Sequence, residues 1–200
     1  MKQSKTDRTR AHIIRTTAAI FNKKGYAGTS IKDITEATKL TSGSIYGNFA
    51  NKEDVALAAL DYNITCFCGV LLKEVNKHKN TRDKLLGFIT PFHSSARSPF
   101  PVGGCPMVNA LKEADDTLER FRKKAGEGML AWKRELVSII DQGITEGGFK
   151  PDTDAVKIAT HIVALCEYGT LMYSATKSIK QADEIIDMAM DVAKSIMLNP

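Results

Sequence analysis

Seven residues from Ser42 to Asn48, SGSIYGN, gather hydroxyls, a phenol and a carboxamide on a segment too short to bury them all. Such groups hydrogen-bond to phosphate oxygens and base edges, and the Asn48 carboxamide matches the bidentate pattern of an adenine edge. Residues 1–50 carry nine Lys/Arg against Asp7, Asp33 and Glu36, a balance of +6, whereas the remaining 150 residues sum to −1. A basic module on a near-neutral body is the footprint of phosphate-backbone binding, because each neutralised phosphate releases condensed counterions. A second candidate chemistry sits at Cys105, just before Pro106 at a predicted helix start, where the helix dipole favours the thiolate and so reaction with an electrophile or oxidant. A buried structural thiol is the alternative reading of that residue.

Other chemistries find no support. Cys66, Cys68, Cys105 and Cys166 fit neither a disulfide framework nor a paired-cysteine zinc site, and the four histidines are scattered. There is no Walker loop, dinucleotide fingerprint, H-E-x-x-H pair or nucleophile elbow, so no cofactor, metal site or catalytic site is expected and the chain does not read as an enzyme. The start, MKQSKTDRTR, lacks a secretory signal, and no apolar run approaches a membrane span, which predicts a cytoplasmic protein with no membrane partner. A plain helical carrier of apolar ligands would leave the basic N-terminal segment unexplained.

Helical spacing and caps recur from end to end, with no strand alternation, which predicts an all-α fold of about nine helices. The first runs from about Thr6 to Lys24, with Ile13, Ile14, Thr17, Ala18 and Phe21 on one face and Gly25 ready for a left-handed cap. Ser30 and Asp33 have capping-box spacing before a two-turn helix that buries Ile31, Ile34 and Ala37. Thr41 can cap a short third helix, Ser42 to Asn48, whose Ile45 and following Phe49 turn to the core. Two short helices about a tight turn make a helix-turn-helix whose second helix can enter a major groove. Asn51 and Asp54 open a fourth helix that continues past residue 70. Thr81 starts a fifth, SARSPFPVGG makes a loop, and Pro106 opens a sixth. A long seventh stops at Gly147 and Gly148, an eighth is capped by Asp152 or Thr153, and Ala182 to Met197 forms the ninth.

The run IIRTTAAIFNKKGYAGTSIKDITEATKLTSGSIYGNFANKEDV resembles the N-terminal domain of the TetR family of transcriptional regulators. Its marks are Phe21, Gly25-Tyr26, Thr29-Ser30, the Ile34-Ala37 stripe, Thr41-x-Gly43, Ile45-Tyr46, Phe49 and Lys52-Glu53; Gly47 and Asn48 depart from the usual pattern. The resemblance implies a helix-turn-helix domain over residues 1–52 and a helical ligand-binding and dimerisation domain over 53–200. It implies that Thr29, Ser30, Tyr46 and Lys52 clamp phosphates while Ser42, Gly43, Ser44 and Asn48 face the groove of double-stranded operator DNA. Arg8 and Arg10 suit either groove-reaching arms or ordinary solvated charges.

Beyond residue 57 the resemblance is weaker, although GGCPMVNALKEADD looks like a motif of one subgroup's ligand-binding domains. It implies a small-molecule inducer, repression, and a homodimer through the last two helices. Ala159, Ile162, Val163, Cys166, Gly169 and Thr170, with Ile185, Ala189, Val192, Ala193 and Ile196, make a small apolar stripe suited to that seam or to intrachain core. Phe67, Phe88, Phe92, His93, Met107, Met129, Trp132, Glu167, Tyr168 and Met172 offer an apolar ligand lining with few polar groups, and serve equally as core.

Overall fold

The computed structural model describes residues 4–93, 100–114 and 118–198. Over these the chain forms nine α-helices and one 3-10 turn, Thr90–Phe92, with no strand; a lone antiparallel bridge joins Phe149 to Met197. The fold is all-α, as the spacing predicts. Residues 95–99 of the expected loop, and Asp115 and Asp116 of the GGCPMVNALKEADD motif, lie outside the described residues.

Local capping explains where the N-terminal helices begin. Helix α1, Lys5–Lys24, starts at Ser4, whose hydroxyl accepts from the Asp7 N–H while the Asp7 carboxylate accepts in return. Gly25 ends it at φ +73 but with an extended ψ of 177, so its glycine conformation is not the left-handed cap expected from sequence. Helix α2, Ile31–Thr38, carries the predicted Ser30–Asp33 capping box. Helix α3, Ser42–Tyr46, is capped by Thr41 and is two residues shorter than expected; past it the Asn48 N–H turns to the Ile45 carbonyl, three residues back. Asn51 accepts from the Asp54 N–H at the start of α4, Lys52–Val75.

The later helices follow the same logic with two corrections. Helices α5, Thr81–Ile89, α6, Pro106–Glu113, and α7, Glu119–Thr145, begin and end near their predicted signals, with Pro106 in the first turn of α6. Helix α8, Ala155–Thr176, is capped by Asp154 rather than by Asp152 or Thr153, and α9, Ile179–Ser195, starts one turn before Ala182 because Ser178 caps it. By length and composition α4 is also apolar enough to cross a bilayer, although polar residues interrupt its apolar run; 39% of that stretch is buried within the protein.

The chain divides into two compact units, Met1–Phe67 with Pro101–Gly128, and Cys68–Phe100 with Met129–Pro200. The boundary expected at residue 52 falls at the first residue of α4, inside the first unit. The core of the first unit holds Ile13, Phe21, Ile34, Ile45, Phe49, Val55 and Ala59; that of the second holds Leu85, Phe88, Trp132, Leu136, Ile140 and Ile162. Helices α8 and α9 make the most extensive helix pair in the second unit.

The stripe expected to form the seam between copies is instead largely the seam between α8 and α9. Ala159, Ile162, Cys166, Gly169, Ile185, Ala189, Ala193 and Ile196 are all buried within the chain. Burial of each isoleucine there contributes about 1.5–3 kcal/mol. A Cβ at Gly169 would stand 2.6 Å from Ile186 Cδ1 and 3.4 Å from the Ala182 carbonyl, so the two helices approach where a side chain is missing. The apolar residues left outside are Val156, Tyr168 and Leu171 on α8 and Ile179 and Met188 on α9. Gly169→Val is expected to lower the unfolding free energy by about 1–3 kcal/mol through overpacking, read as a shifted midpoint in urea denaturation with α-helical circular dichroism as the probe.

Candidate nucleic-acid interface

A five-residue helix has no stability of its own, so α3 takes its orientation from what it buries. Ile45 is fully buried and Phe49 nearly so, which turns Ser42, Gly43 and Tyr46 outward, the last 47% exposed; Ser44 is half-buried. The Thr41 hydroxyl accepts from the Ser44 N–H at 3.1 Å and fixes the helix start. Helix α1 holds the other ends of both short helices. His12 Nε2 donates to the Thr38 carbonyl at the end of α2, 3.0 Å away. The Arg10 guanidinium lies 4.1 Å over the Phe49 ring and donates to the Asn48 carbonyl. Cations and donors at helix C-termini complement the unsatisfied carbonyls there. Sequence spacing leaves Arg10 open between a groove-reaching arm and a solvated charge; its place is at the end of α3, on the Phe49 ring.

Several expected phosphate and base contacts are turned inward. Thr29 is fully buried and its hydroxyl donates to the Gly25 carbonyl at 2.6 Å, so it closes the α1–α2 loop instead of facing solvent. Lys52 donates to the Tyr26 and Thr29 carbonyls at 2.9 and 3.0 Å and stands 4.2 Å from the Tyr26 ring centroid, leaving one of its three donors. Asn48 Nδ2 donates to the Ser44 carbonyl at 2.9 Å and its Oδ1 is buried, so the carboxamide is folded over α3 and not extended toward a base. Ser30 is exposed, but its hydroxyl is engaged with Asp33, 2.6 Å away. Arg8 and Lys39, by contrast, are exposed and make no ion pair among the described residues, Lys39 lying in the turn between α2 and α3.

The remaining candidates separate by unit. Phe67 and Met107 are buried in the first unit, Met107 against Gly128 and Ile64. In the second, Trp132 stacks with Phe88 and Phe92, ring centroids 6.4 and 5.6 Å apart. Phe88 and Trp132 line a cavity of about 170 Å³ with Cys68, Leu71, Leu72, Ala131 and Glu135. His93 Nε2 lies 3.2 Å from Asp187, Met129 and Met172 are half-buried, and Tyr168, 53% exposed, points away from the core; none of these lines that cavity. Glu167 is buried on α8. Burial, with the Glu167 charge beside it, pushes the Cys166 thiol far above its ordinary range. Cys105 is 4% exposed, which removes the solvent access a reactive thiol needs.

Comparison with known proteins gives a consistent result. Residues 13–59 match the family model for bacterial regulatory proteins of the tetR family, and residues 81–189 match that for the tetracyclin repressor-like C-terminal domain. The fold superposes on the crystal structure of a TetR-family transcriptional regulator from Cytophaga hutchinsonii with TM-score 0.95 and 47% identity, covering all of both chains. An uncharacterised HTH-type transcriptional regulator of Lactococcus lactis subsp. lactis is 30% identical over 120 residues, 58% of this chain and 59% of that protein. The repressor KstR2 of Mycobacterium tuberculosis is 27% identical over 147 residues, 72% of this chain and 71% of that protein.

The start of α2 is sensitive to acid. A hydrogen bond from Lys24, 2.6 Å away, and further ones from Ser30 hold the Asp33 carboxyl well below its ordinary value of 3.8. A depressed folded-state value means that the stabilisation is complete above the unfolded-state value and is lost as pH falls below about 4. Asp33→Asn is therefore expected to lower Tm at pH 7 and to flatten the acid limb of a Tm-against-pH curve measured by calorimetry.

Proposed function

We propose that this chain, which belongs to the TetR family of bacterial regulatory proteins, is a ligand-responsive repressor that binds a palindromic operator as a homodimer. It is a DNA-binding transcriptional regulator, and the finer reading rests on one observation: a five-residue helix pinned by Ile45 and Phe49 that turns Ser42, Gly43 and Tyr46 to solvent. That rod fits a major groove, and the +6 balance of residues 1–50 supplies counter-charge for the phosphates on either side. With Thr29 and most of Lys52 committed internally, we assign the phosphate contacts to Ser30, Tyr46, Arg8, Lys39 and the remaining Lys52 donor. The groove contacts go to Ser42, Gly43 and Ser44, with Asn48 joining only after its carboxamide swings out. So few long side chains leave much of the sequence preference to DNA shape and deformability.

The dimer seam in this reading is the outer face of α8 and α9, with Val156, Tyr168, Leu171 and Met188 as its apolar anchors. A two-fold axis there matches a two-fold operator. The inducer is a small, largely apolar molecule seated on Phe88 and Trp132 in the cavity of the second unit, with Glu135 as its polar contact. It acts by binding the DNA-incompetent form more tightly. The protein works in the cytoplasm, where its DNA is.

Selection of genomic fragments by the purified protein, followed by fluorescence anisotropy on the recovered duplex, tests the groove reading. A Cβ at Gly43 meets nothing nearer than the Thr41 hydroxyl at 3.9 Å, so Gly43→Glu is accommodated by the fold while placing a negative charge on the groove face. It should weaken binding by about 100-fold or more, and the wild-type affinity should fall steeply with salt. Recovery of no fragment at low ionic strength, or Gly43→Glu binding as wild type, overturns the reading. Tyr168→Glu with Leu171→Glu should give a monomer in sedimentation velocity; a persistent dimer moves the seam elsewhere.

A further inference from the structure

Residues Gly103–Glu113 of the GGCPMVNALKEADD motif lie far in sequence from α2 and α3, yet they close on the end of α1 within the first unit. Asn22, in the last turn of α1, is buried, and its Nδ2 donates to the Val102 and Gly104 carbonyls at 2.9 and 3.0 Å. Asn109 Nδ2 in turn lies 3.1 Å from the Asn22 carbonyl and 2.8 Å from that of Gly103. Gly103 has φ +108, and a Cβ there would stand 2.8 Å from the Asn22 carbonyl, so no other residue permits this approach. One turn further along α6, Glu113 Oε2 accepts from the Tyr26 N–H at 2.6 Å. A Cβ at Gly25 would fall 2.1 Å from the same carboxylate, so the carboxylate sits directly against the loop backbone.

Tyr26 is therefore gripped at three points: its N–H by Glu113, its carbonyl by Lys52, and its ring between Lys52 and Phe121, whose centroid is 5.5 Å away. Only Ala27, Gly28, Thr29 and Ser30 separate it from α2, whose end leads through Lys39 to α3. The cavity lined by Phe21, Asn22, Tyr26 and Glu113 holds about 30 Å³, room for no more than a water molecule, so side chains and not a ligand fill this junction.

We propose that Glu113 and Asn109 are positioning residues for DNA binding, acting through Tyr26 and Asn22 to hold the α1–α2 loop, and with it α3, in the DNA-competent orientation. A carboxylate accepting a backbone N–H is a charge-assisted bond, stronger than its neutral counterpart. The proposal rests on the groove reading of α3. Glu113→Ala should weaken binding to the genomic duplex recovered by the wild-type protein about tenfold, the scale of one lost charge-assisted hydrogen bond. Tm should fall by only about 2–4 °C, too little to unfold the protein at the assay temperature, oligomeric state should stay as in wild type, and amide exchange should accelerate in α2 and α3 but not in α8 or α9. Glu113→Gln keeps an acceptor and should restore most of the affinity, whereas Glu113→Met, which keeps the length without an acceptor, should not, a contrast that a generic packing role would not give. If Glu113→Ala does not fold, Asn109→Ala carries the same comparison. Binding by folded Glu113→Ala or Asn109→Ala within twofold of wild type, or weakening only in step with Tm, overturns the proposal. Gly43→Glu separates the two failures: if it abolishes binding while the Glu113 and Asn109 variants do not, only the positioning role is lost.

Discussion

The whole outward face of α3 depends on burying Ile45. A helix of five residues forms too few backbone hydrogen bonds to persist alone, so the side chain it commits to the core decides both that it exists and which way it faces. Phe49 adds a second anchor just past its end, and Arg10 stacks on that ring while binding the neighbouring carbonyl. The short polar residues are outside because the two large apolar ones are inside. An isolated chain segment with the same residues would have no such outward face.

A helix-turn-helix needs many polar groups near its helix ends, and each of them can serve the fold or the nucleic acid. In this protein the fold takes a large share. Asp33 and Ser30 satisfy the first amides of α2, the Thr29 hydroxyl closes on Gly25, and Lys52 spends two donors on the α1–α2 loop. The consequence is a short helix α3 whose outward residues are mostly serine and glycine, with few long side chains among them.

The parts legible in the sequence are those set by neighbours within a turn. Ser30, Thr41 and Asn51 cap helices because a hydroxyl or carboxamide at that spacing reaches an amide three residues on, and Gly147 follows the end of α7 for an equally local reason. Direction was harder to read. Helix α8 is apolar around most of its circumference, so periodicity could not say whether Ala159 and Cys166 or Val156 and Tyr168 face the interior; the partner helix α9 settles it. Thr29, Lys52 and Asn48 were placed outside because their chemistry suits phosphates and bases, whereas backbone carbonyls nearby compete for the same donors. The bond from Tyr26 to Glu113 spans 87 positions, and nothing local signals it.

The reduced sulfur atoms have a practical consequence. Cys105 belongs to one compact unit and Cys166 to the other, and both are shielded from solvent. Alkylation of either therefore has to wait for its own surroundings to breathe, so the two sulfhydryls act as separate internal clocks for the opening of each half of the molecule.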